Sequence, residues 1–148
     1  MPATEQSVLV NAPIEAVWAR LGNFHDLSWA PNVINSVVID GEVAGDSPGA
    51  MRILKNAFHE TLLEKNERDH VLKYSIDDGP SPVSKDEVEN YVGVIRLSQS
   101  GKSDGTLVEW TSSWDSAVDD AVDFCHGIYQ ALLAELANSF AGRQPAGT

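Results

Sequence analysis

The longest run of helical periodicity lies near the C-terminal end of the chain, over residues 117–141. Apolar residues recur there at spacings of three and four, as in an amphipathic helix that turns one face to a core. The stripe comprises Val118, Val122, Cys125, Tyr129, Leu132, Leu136 and Phe140, and Ala121 and Ile128 widen it. We therefore predict one long helix that packs against the rest of the domain.

Most of the remaining chain shows short apolar runs bounded by turn residues, which is typical of β-strands. A first strand is predicted at residues 7–10, followed by two short helices at residues 14–21 and 24–29. Six further strands are predicted at residues 33–40, 50–56, 58–67, 70–77, 88–98 and 106–116. Short polar connections favour a continuous antiparallel meander. The element order predicts an α+β fold, with a curved seven-stranded sheet wrapped around the C-terminal helix.

Length and charge limit the class of protein. A chain of 148 residues is predicted to form a single domain, residues 1–148, with an ordered core from about residue 5 to residue 141. Ten Lys and Arg against 22 Asp and Glu give a net charge of −12, which disfavours nucleic acid and anionic membranes as partners. There is no apolar run long enough for membrane insertion and no signal-peptide pattern at the start, so we expect a cytoplasmic protein.

Neither metal nor cofactor chemistry is indicated by the motifs. The four histidines, His25, His59, His70 and His126, lie on different predicted elements without the spacing of helical metal ligands. No serine has a nucleophile-elbow context, and the prolines of residues 79–82 do not suit a phosphate loop. The single Cys125 cannot form an internal disulfide and is expected to be a buried apolar residue. We expect no metal and no cofactor, and a monomer or a homodimer that is held together by neither a metal nor a disulfide.

Several short segments carry a resemblance by their order along the chain. They are Ala12-Pro13, Val17-Trp18, Phe24, Trp29, Pro31, residues 60–63, Tyr74-Ser75-Ile76, Gly79-Pro80, Pro82-Val83, Asn90-Tyr91 and Trp110. Together they resemble the START-related, Bet v 1-like (SRPBCC) superfamily and, within it, the bacterial polyketide cyclase/dehydrase branch. They are also similar to plant abscisic acid receptors, although Pro31 stands where those receptors have a pocket lysine. The resemblance implies a helix-grip fold with a ligand cavity between sheet and helix; since the superfamily includes carriers, receptors, cyclases and lyases, it does not imply one activity.

Strand alternation predicts which side chains enter such a cavity. Trp110, Ser112 and Trp114 share one face of the last strand, and Tyr74 shares a face with Leu72 and Ile76. The resemblance places Tyr91 in the cavity. For residues 58–67 the pattern is ambiguous, and the face with Phe58, Glu60 and Leu62 is chosen because related receptors and cyclases have a glutamate inside. We predict a cavity lined by Tyr74, Tyr91, Trp110 and Leu132.

Candidate catalytic residues are Glu60, Tyr74 and Tyr91. Burial raises the pKa of a glutamate toward the range useful for proton transfer, and tyrosine hydroxyls donate hydrogen bonds to a carbonyl or enolate. The alternatives are a Glu60 that binds only water or a ligand's polar group near the cavity mouth, and tyrosines that only form the wall. Candidate ligand contacts are Trp29, Val33, Phe58, Leu62, Ile76, Trp110, Ser112, Trp114, Phe124, Ile128 and Leu132.

The leading hypothesis is a protein that binds a small, largely apolar molecule, aromatic and polyketide-like ones included, in the internal cavity. A second hypothesis is a cofactor-independent cyclase or dehydratase-type lyase that uses Glu60 with tyrosine donors. A third is an interaction protein that reports an occupied cavity through its rim. An inward carboxylate favours the enzyme, an entirely apolar cavity favours the carrier, and an exposed apolar rim at residues 80–83 favours the reporter.

Overall fold

The computed structural model describes residues 2–100, 105–117 and 120–141. In chain order, its elements are β1 (Ala3–Val10), α1 (Ile14–Leu21), β2 (Val37–Asp40), β3 (Met51–Leu54), β4 (Phe58–Asn66), β5 (Val71–Asp78), β6 (Glu89–Gln99), β7 (Thr106–Asp115) and α2 (Ala121–Ala141). The predicted α+β class, the seven strands and the long C-terminal helix are confirmed.

All strands belong to one antiparallel sheet in the order β1-β7-β6-β5-β4-β3-β2. Strands β2 to β7 form a meander in chain order, and β1 adds to the outer edge of β7. The open sheet is curved, and α2 packs beside it with close contacts to β1. This is the helix-grip arrangement, in which the concave face of the sheet and one face of the helix enclose the core.

The predicted core positions agree well with the observed burial. Along β7 buried residues alternate strictly with partly exposed ones, so that Val108, Trp110, Ser112 and Trp114 all face inward. On α2, Cys125, Tyr129, Leu132, Leu136 and Phe140 are buried as the helical stripe predicts, whereas Val118 lies outside the described residues. The sequence pattern therefore correctly predicted the two surfaces that meet in the core, the inward face of β7 and the apolar stripe of α2.

The second predicted short helix is wrong, because residues 24–29 form turns. Side-chain oxygens bind the backbone here: Asn23 Oδ1 accepts from the N–H of His25, and Asp26 Oδ1 accepts from the N–H of Ser28. Such local bonds compete with helix formation, and six residues are too few to offset the cost of helix nucleation. Turns continue to Ile34, whose N–H donates to the carbonyl of Ala30, so β2 begins at Val37 rather than at residue 33.

Over the described ranges, no helix combines the length and apolar character that crossing a bilayer requires.

Candidate functional site

A cavity of about 30 Å³ lies between the concave face of the sheet and α2. Eight of the predicted site residues line it, namely Phe58, Glu60, Tyr74, Ile76, Tyr91, Trp110, Ile128 and Leu132. Its remaining wall comes from Leu27, Ile34, Arg52, Leu54, Cys125 and Tyr129. Tyr74, Tyr91, Trp110 and Leu132, which were predicted to lie together, are all among its lining residues. This volume is small, enough for roughly two water molecules.

Glu60 faces the interior, as predicted, and it is paired with a buried arginine. Arg52 Nε donates to Glu60 Oε1 at 2.8 Å, and Arg52 Nη2 lies 2.7 Å from the same oxygen. Both residues are only 5–6% exposed. The pairing follows from the β3–β4 hairpin, in which Arg52 lies directly opposite Glu60 and Lys55 and Asn56 reverse the chain with φ angles of 56°. The carboxylate therefore enters the core together with its counter-charge.

The guanidinium of Arg52 is also held by an aromatic ring. Its central carbon lies 3.7 Å from the ring centroid of Phe24 and 5.8 Å from that of Tyr74, and Nη1 donates to the Phe24 carbonyl at 2.8 Å. Such contacts favour a desolvated cation. Burial raises the pKa of Glu60 above its ordinary value, and the charge and hydrogen bond of Arg52 offset part of that rise. Removing either partner would leave an isolated charge in the core.

Three tyrosine hydroxyls meet in the wall of the cavity. Tyr129 lies at the centre, with its hydroxyl oxygen 2.8 Å from that of Tyr74 and 2.5 Å from that of Tyr91. Trp110 Nε1 donates to the Tyr74 hydroxyl at 2.9 Å. Burial raises the pKa of each tyrosine well above its ordinary value. These hydroxyls are therefore neutral donors and acceptors throughout the physiological pH range.

The ring of Tyr74 lies directly over the backbone of β6, where Gly93 is its cross-strand partner. A Cβ atom on Gly93 would lie 2.2 Å from the ring carbon that carries the hydroxyl. Any other residue at this position would push the ring away. A glycine inside a strand often marks such a close approach, and here it sets the position of the Tyr74 hydroxyl.

The other predicted contact residues do not line this cavity. Trp29 and Leu62 line an adjoining cavity of about 20 Å³, which shares Leu27, Arg52, Tyr74 and Trp110 with the first. Val33 packs against the core while partly exposed. The Ser112 hydroxyl lies 2.6 Å from the Thr4 hydroxyl, in the contact between β7 and β1.

Phe124 and Trp114 support cavity residues from behind. Phe124 stacks on Phe58 with ring centroids 6.5 Å apart, and Trp114 stacks on Tyr91 at 5.1 Å with the rings 6° from parallel. Trp114 is 1% exposed, and within the described residues its indole N–H has no hydrogen-bond partner. Strand alternation selected Trp114 because it points inward, but Trp114 packs behind Tyr91 and does not line the cavity.

Arg52 and Tyr129 are the two functional candidates that the sequence reasoning did not select. Arg52 and Glu60 each lie four positions from Asn56, so a hairpin centred on that residue would have placed them opposite each other. Tyr129 belongs to the predicted helical stripe, but it was interpreted only as core. Cys125 is buried as expected; burial raises the pKa of its thiol, which favours an unreactive, protonated side chain.

Comparison with known proteins supports the fold over nearly the whole chain. A protein of known structure from Nitrosospira multiformis is 44% identical, with a TM-score of 0.93 and coverage of 97% of this chain and 100% of its own. XoxI from Bacillus cereus is 26% identical, with a TM-score of 0.79 and coverage of 98% and 99%. An uncharacterised protein from Bacillus thuringiensis is 28% identical, with a TM-score of 0.76 and coverage of 94% and 98%. No curated protein matches the chain.

The family model described as "Polyketide cyclase / dehydrase and lipid transport" matches residues 1–141. That match covers both surfaces that enclose the cavity, and the neighbouring structures share the same SRPBCC-type fold. The chain therefore belongs to the polyketide cyclase/dehydrase and lipid transport family.

Proposed function

We propose that this protein binds a small, largely apolar molecule, aromatic and polyketide-like compounds included, in the cavity between the sheet and α2. The observation that carries the proposal is the composition of the cavity wall. Leu27, Leu54, Ile76 and Leu132 are among the apolar residues that line it, while an ion pair and hydroxyl groups supply its polar part. Small-molecule sites combine an apolar wall with a few fixed polar groups in this way. Membership of a family that includes lipid transport supports the same conclusion.

The cavity must enlarge to accept such a ligand. Its volume of about 30 Å³ is far below the roughly 300 Å³ of the smaller ligand pockets. Leu27 shows where space is available, because it borders this cavity, the adjoining cavity of about 20 Å³ and an open outer groove of about 390 Å³. Ile34 also separates the cavity from the groove. Movement of these two side chains joins the three spaces and gives the ligand a route inward.

The test is a fluorescence titration with N-phenyl-1-naphthylamine, an uncharged probe that becomes fluorescent in apolar surroundings. Trp110→Phe removes part of an aromatic wall and the N–H that holds Tyr74, so we expect affinity to fall roughly three- to ten-fold. Trp18→Phe is the matched control, because Trp18 packs on α1 against His70 and borders none of the three spaces. Equal effects of the two substitutions, or no saturable binding, would overturn the proposal.

A cyclase or dehydratase-type lyase is the second candidate, and the buried carboxyl of Glu60 on the cavity wall favours it. Burial raises the pKa of Glu60, as general acid–base catalysis at neutral pH requires. However, Arg52 makes two contacts with Oε1, so proton transfer must use Oε2 or break the ion pair. Because Arg52 holds the carboxylate of Glu60 in this ion pair, we propose ligand binding as the first function and catalysis as the second.

Glu60→Gln separates the two candidates when poly-β-ketone and β-hydroxy-ketone mimics are supplied as substrates. An enzyme that uses Glu60 would lose roughly 10²- to 10⁴-fold in turnover. A binding protein would change only in affinity. The reporter hypothesis receives no comparable support, because Val83 of the 80–83 segment is 1% exposed and belongs to the core.

A further inference from the structure

The three tyrosines of the cavity are the only tyrosines of the whole chain. They come from three different elements, Tyr74 from β5, Tyr91 from β6 and Tyr129 from α2. Their hydroxyls form one connected row, with Tyr129 in the middle and the Trp110 N–H donating to Tyr74 at one end. All three residues line the cavity. The tyrosine row is therefore a built polar site within a largely apolar wall.

The row has one more hydroxyl proton than it has hydrogen bonds between its hydroxyls. Each neutral tyrosine hydroxyl carries one proton, and the two hydroxyl–hydroxyl contacts use two of the three protons. Whichever way the hydroxyls rotate, one O–H donor is left over. Trp110 adds a donor and no acceptor, so it does not change the count. The row always has one proton to give.

The surplus proton can be presented at either end of the row. At the Tyr91 end, the side chains of Ser112 and Cys125 are within its reach. The Ser112 hydroxyl has two lone pairs and one bond to Thr4, so it can accept the proton there, whereas a thiol is a poor acceptor. At the Tyr74 end, the hydroxyl already accepts from Trp110, and its own proton is free when Tyr129 donates to it. A ligand acceptor in the cavity can therefore take the surplus proton at the Tyr74 end.

The charges on the cavity wall decide which kind of acceptor fits. The cation of Arg52 is neutralised by Glu60 at 2.7 Å, so the wall of the cavity carries no net charge. A carboxylate ligand would add an unbalanced negative charge beside Glu60 in a desolvated site, which is costly. An uncharged carbonyl oxygen needs one donor and brings no charge.

We propose that the tyrosine row binds one uncharged carbonyl oxygen, that of a ketone, ester or quinone, on an otherwise apolar ligand. This inference rests on the proposed ligand-binding function and specifies the ligand's polar group. It predicts that the protein discriminates against free carboxylic acids at neutral pH and against pure hydrocarbons, because neither supplies a neutral acceptor.

Three probes of nearly the same shape test it: acetophenone, benzoate and isopropylbenzene, each measured by displacement of N-phenyl-1-naphthylamine. Isopropylbenzene has a methyl group where acetophenone has its oxygen, so its transfer from water to an apolar site is intrinsically more favourable. We therefore expect the affinity ratio of acetophenone to isopropylbenzene to be roughly ten-fold higher in the wild type than in a protein without the hydroxyl row, the value of one good hydrogen bond in a buried site. Benzoate should bind more weakly than acetophenone. Benzoate that binds more tightly than acetophenone would overturn the carbonyl assignment while leaving ligand binding intact. No binding by the naphthylamine or by any of the three probes would overturn both.

The triple substitution Tyr74→Phe, Tyr91→Phe and Tyr129→Phe removes the hydroxyl row and keeps the rings. The affinity ratio of acetophenone to isopropylbenzene should then fall roughly ten-fold. A ratio that stays at its original value would contradict the assignment. A second readout needs no variant: the infrared carbonyl stretch of bound acetophenone should lie below its position in hexane. An unshifted stretch would show that no hydrogen bond is made.

Discussion

At the scale of single residues, the site depends on one glycine. Gly93 faces Tyr74 across β5 and β6, and the absence of a side chain there lets the tyrosine ring lie against the backbone. The position of the ring in turn brings its hydroxyl to Tyr129 and Trp110. Strand alternation predicted that Tyr74 points inward, but it contains no information on how far the ring reaches. How far the ring of Tyr74 extends over the sheet is set by the residue opposite it, Gly93.

Gly93→Ala should therefore displace the ring of Tyr74. Because the added Cβ would lie 2.2 Å from the ring, we expect a loss of about 1–3 kcal/mol in the free energy of unfolding and weaker probe binding. Gly127→Ala is the matched control, since a Cβ at that exposed position of α2 meets no atom within 4 Å. It should stabilise the helix by up to about 1 kcal/mol. Denaturant unfolding of the two variants tests this; similar changes in both would contradict the account of Gly93.

The tyrosine row also predicts an unusual response to alkali. Burial raises the pKa of all three tyrosines, so in the folded protein they keep their protons above the ordinary value of 10.0. The unfolded chain loses those protons near pH 10, so stability is intact below that pH and falls as pH rises above it. The slope reaches roughly 4 kcal/mol per pH unit when all three tyrosines of the unfolded chain are ionised.

Tyrosinate absorbance measures this directly, because the chain has no tyrosine outside the row. The absorbance should rise together with the loss of native circular dichroism. Ionisation of a tyrosine at its ordinary pKa while the dichroism is still native would show that its hydroxyl is exposed to solvent.

At the scale of elements, the segment between α1 and β2 differs most from the sequence-based expectation and bears most on function. Apolar spacing favoured a helix at residues 24–29, but Asn23 and Asp26 side chains bind the local backbone and produce turns. The resulting irregular wall carries Leu27 and Ile34, which separate the cavity from the outer groove. A wall without continuous backbone pairing opens at lower cost than a strand or helix does.

Leu27→Ala tests this route. Substitution of a buried leucine by alanine should lower stability by about 2–5 kcal/mol, and here it should also speed the association of N-phenyl-1-naphthylamine. Leu133→Ala is the control, because Leu133 is equally buried but borders none of the three spaces. Stopped-flow fluorescence would contradict the route if both variants associate at the wild-type rate.

At the scale of the whole molecule, much of the fold follows from periodicity, since the seven strands and the long helix are each marked by their own apolar pattern. The cavity follows less well. Alternation identifies residues that point inward, but it does not distinguish a residue on the cavity wall, such as Trp110, from one packed behind it, such as Trp114. The pairing of Arg52 with Glu60 depends on hairpin register, and the cavity's small volume depends on how all side chains pack together.

The central claim is that an apolar ligand occupies this cavity, and filling the cavity tests it most directly. Ile128 lines the cavity from α2, so Ile128→Trp should place an indole where the ligand would lie. Ala134→Trp adds the same group on the exposed face of the same helix. In titrations with N-phenyl-1-naphthylamine, the account predicts one saturable site in the wild type and in Ala134→Trp, and an affinity at least roughly ten-fold weaker in a folded Ile128→Trp. Unchanged affinity in Ile128→Trp would place the ligand elsewhere and contradict the claim.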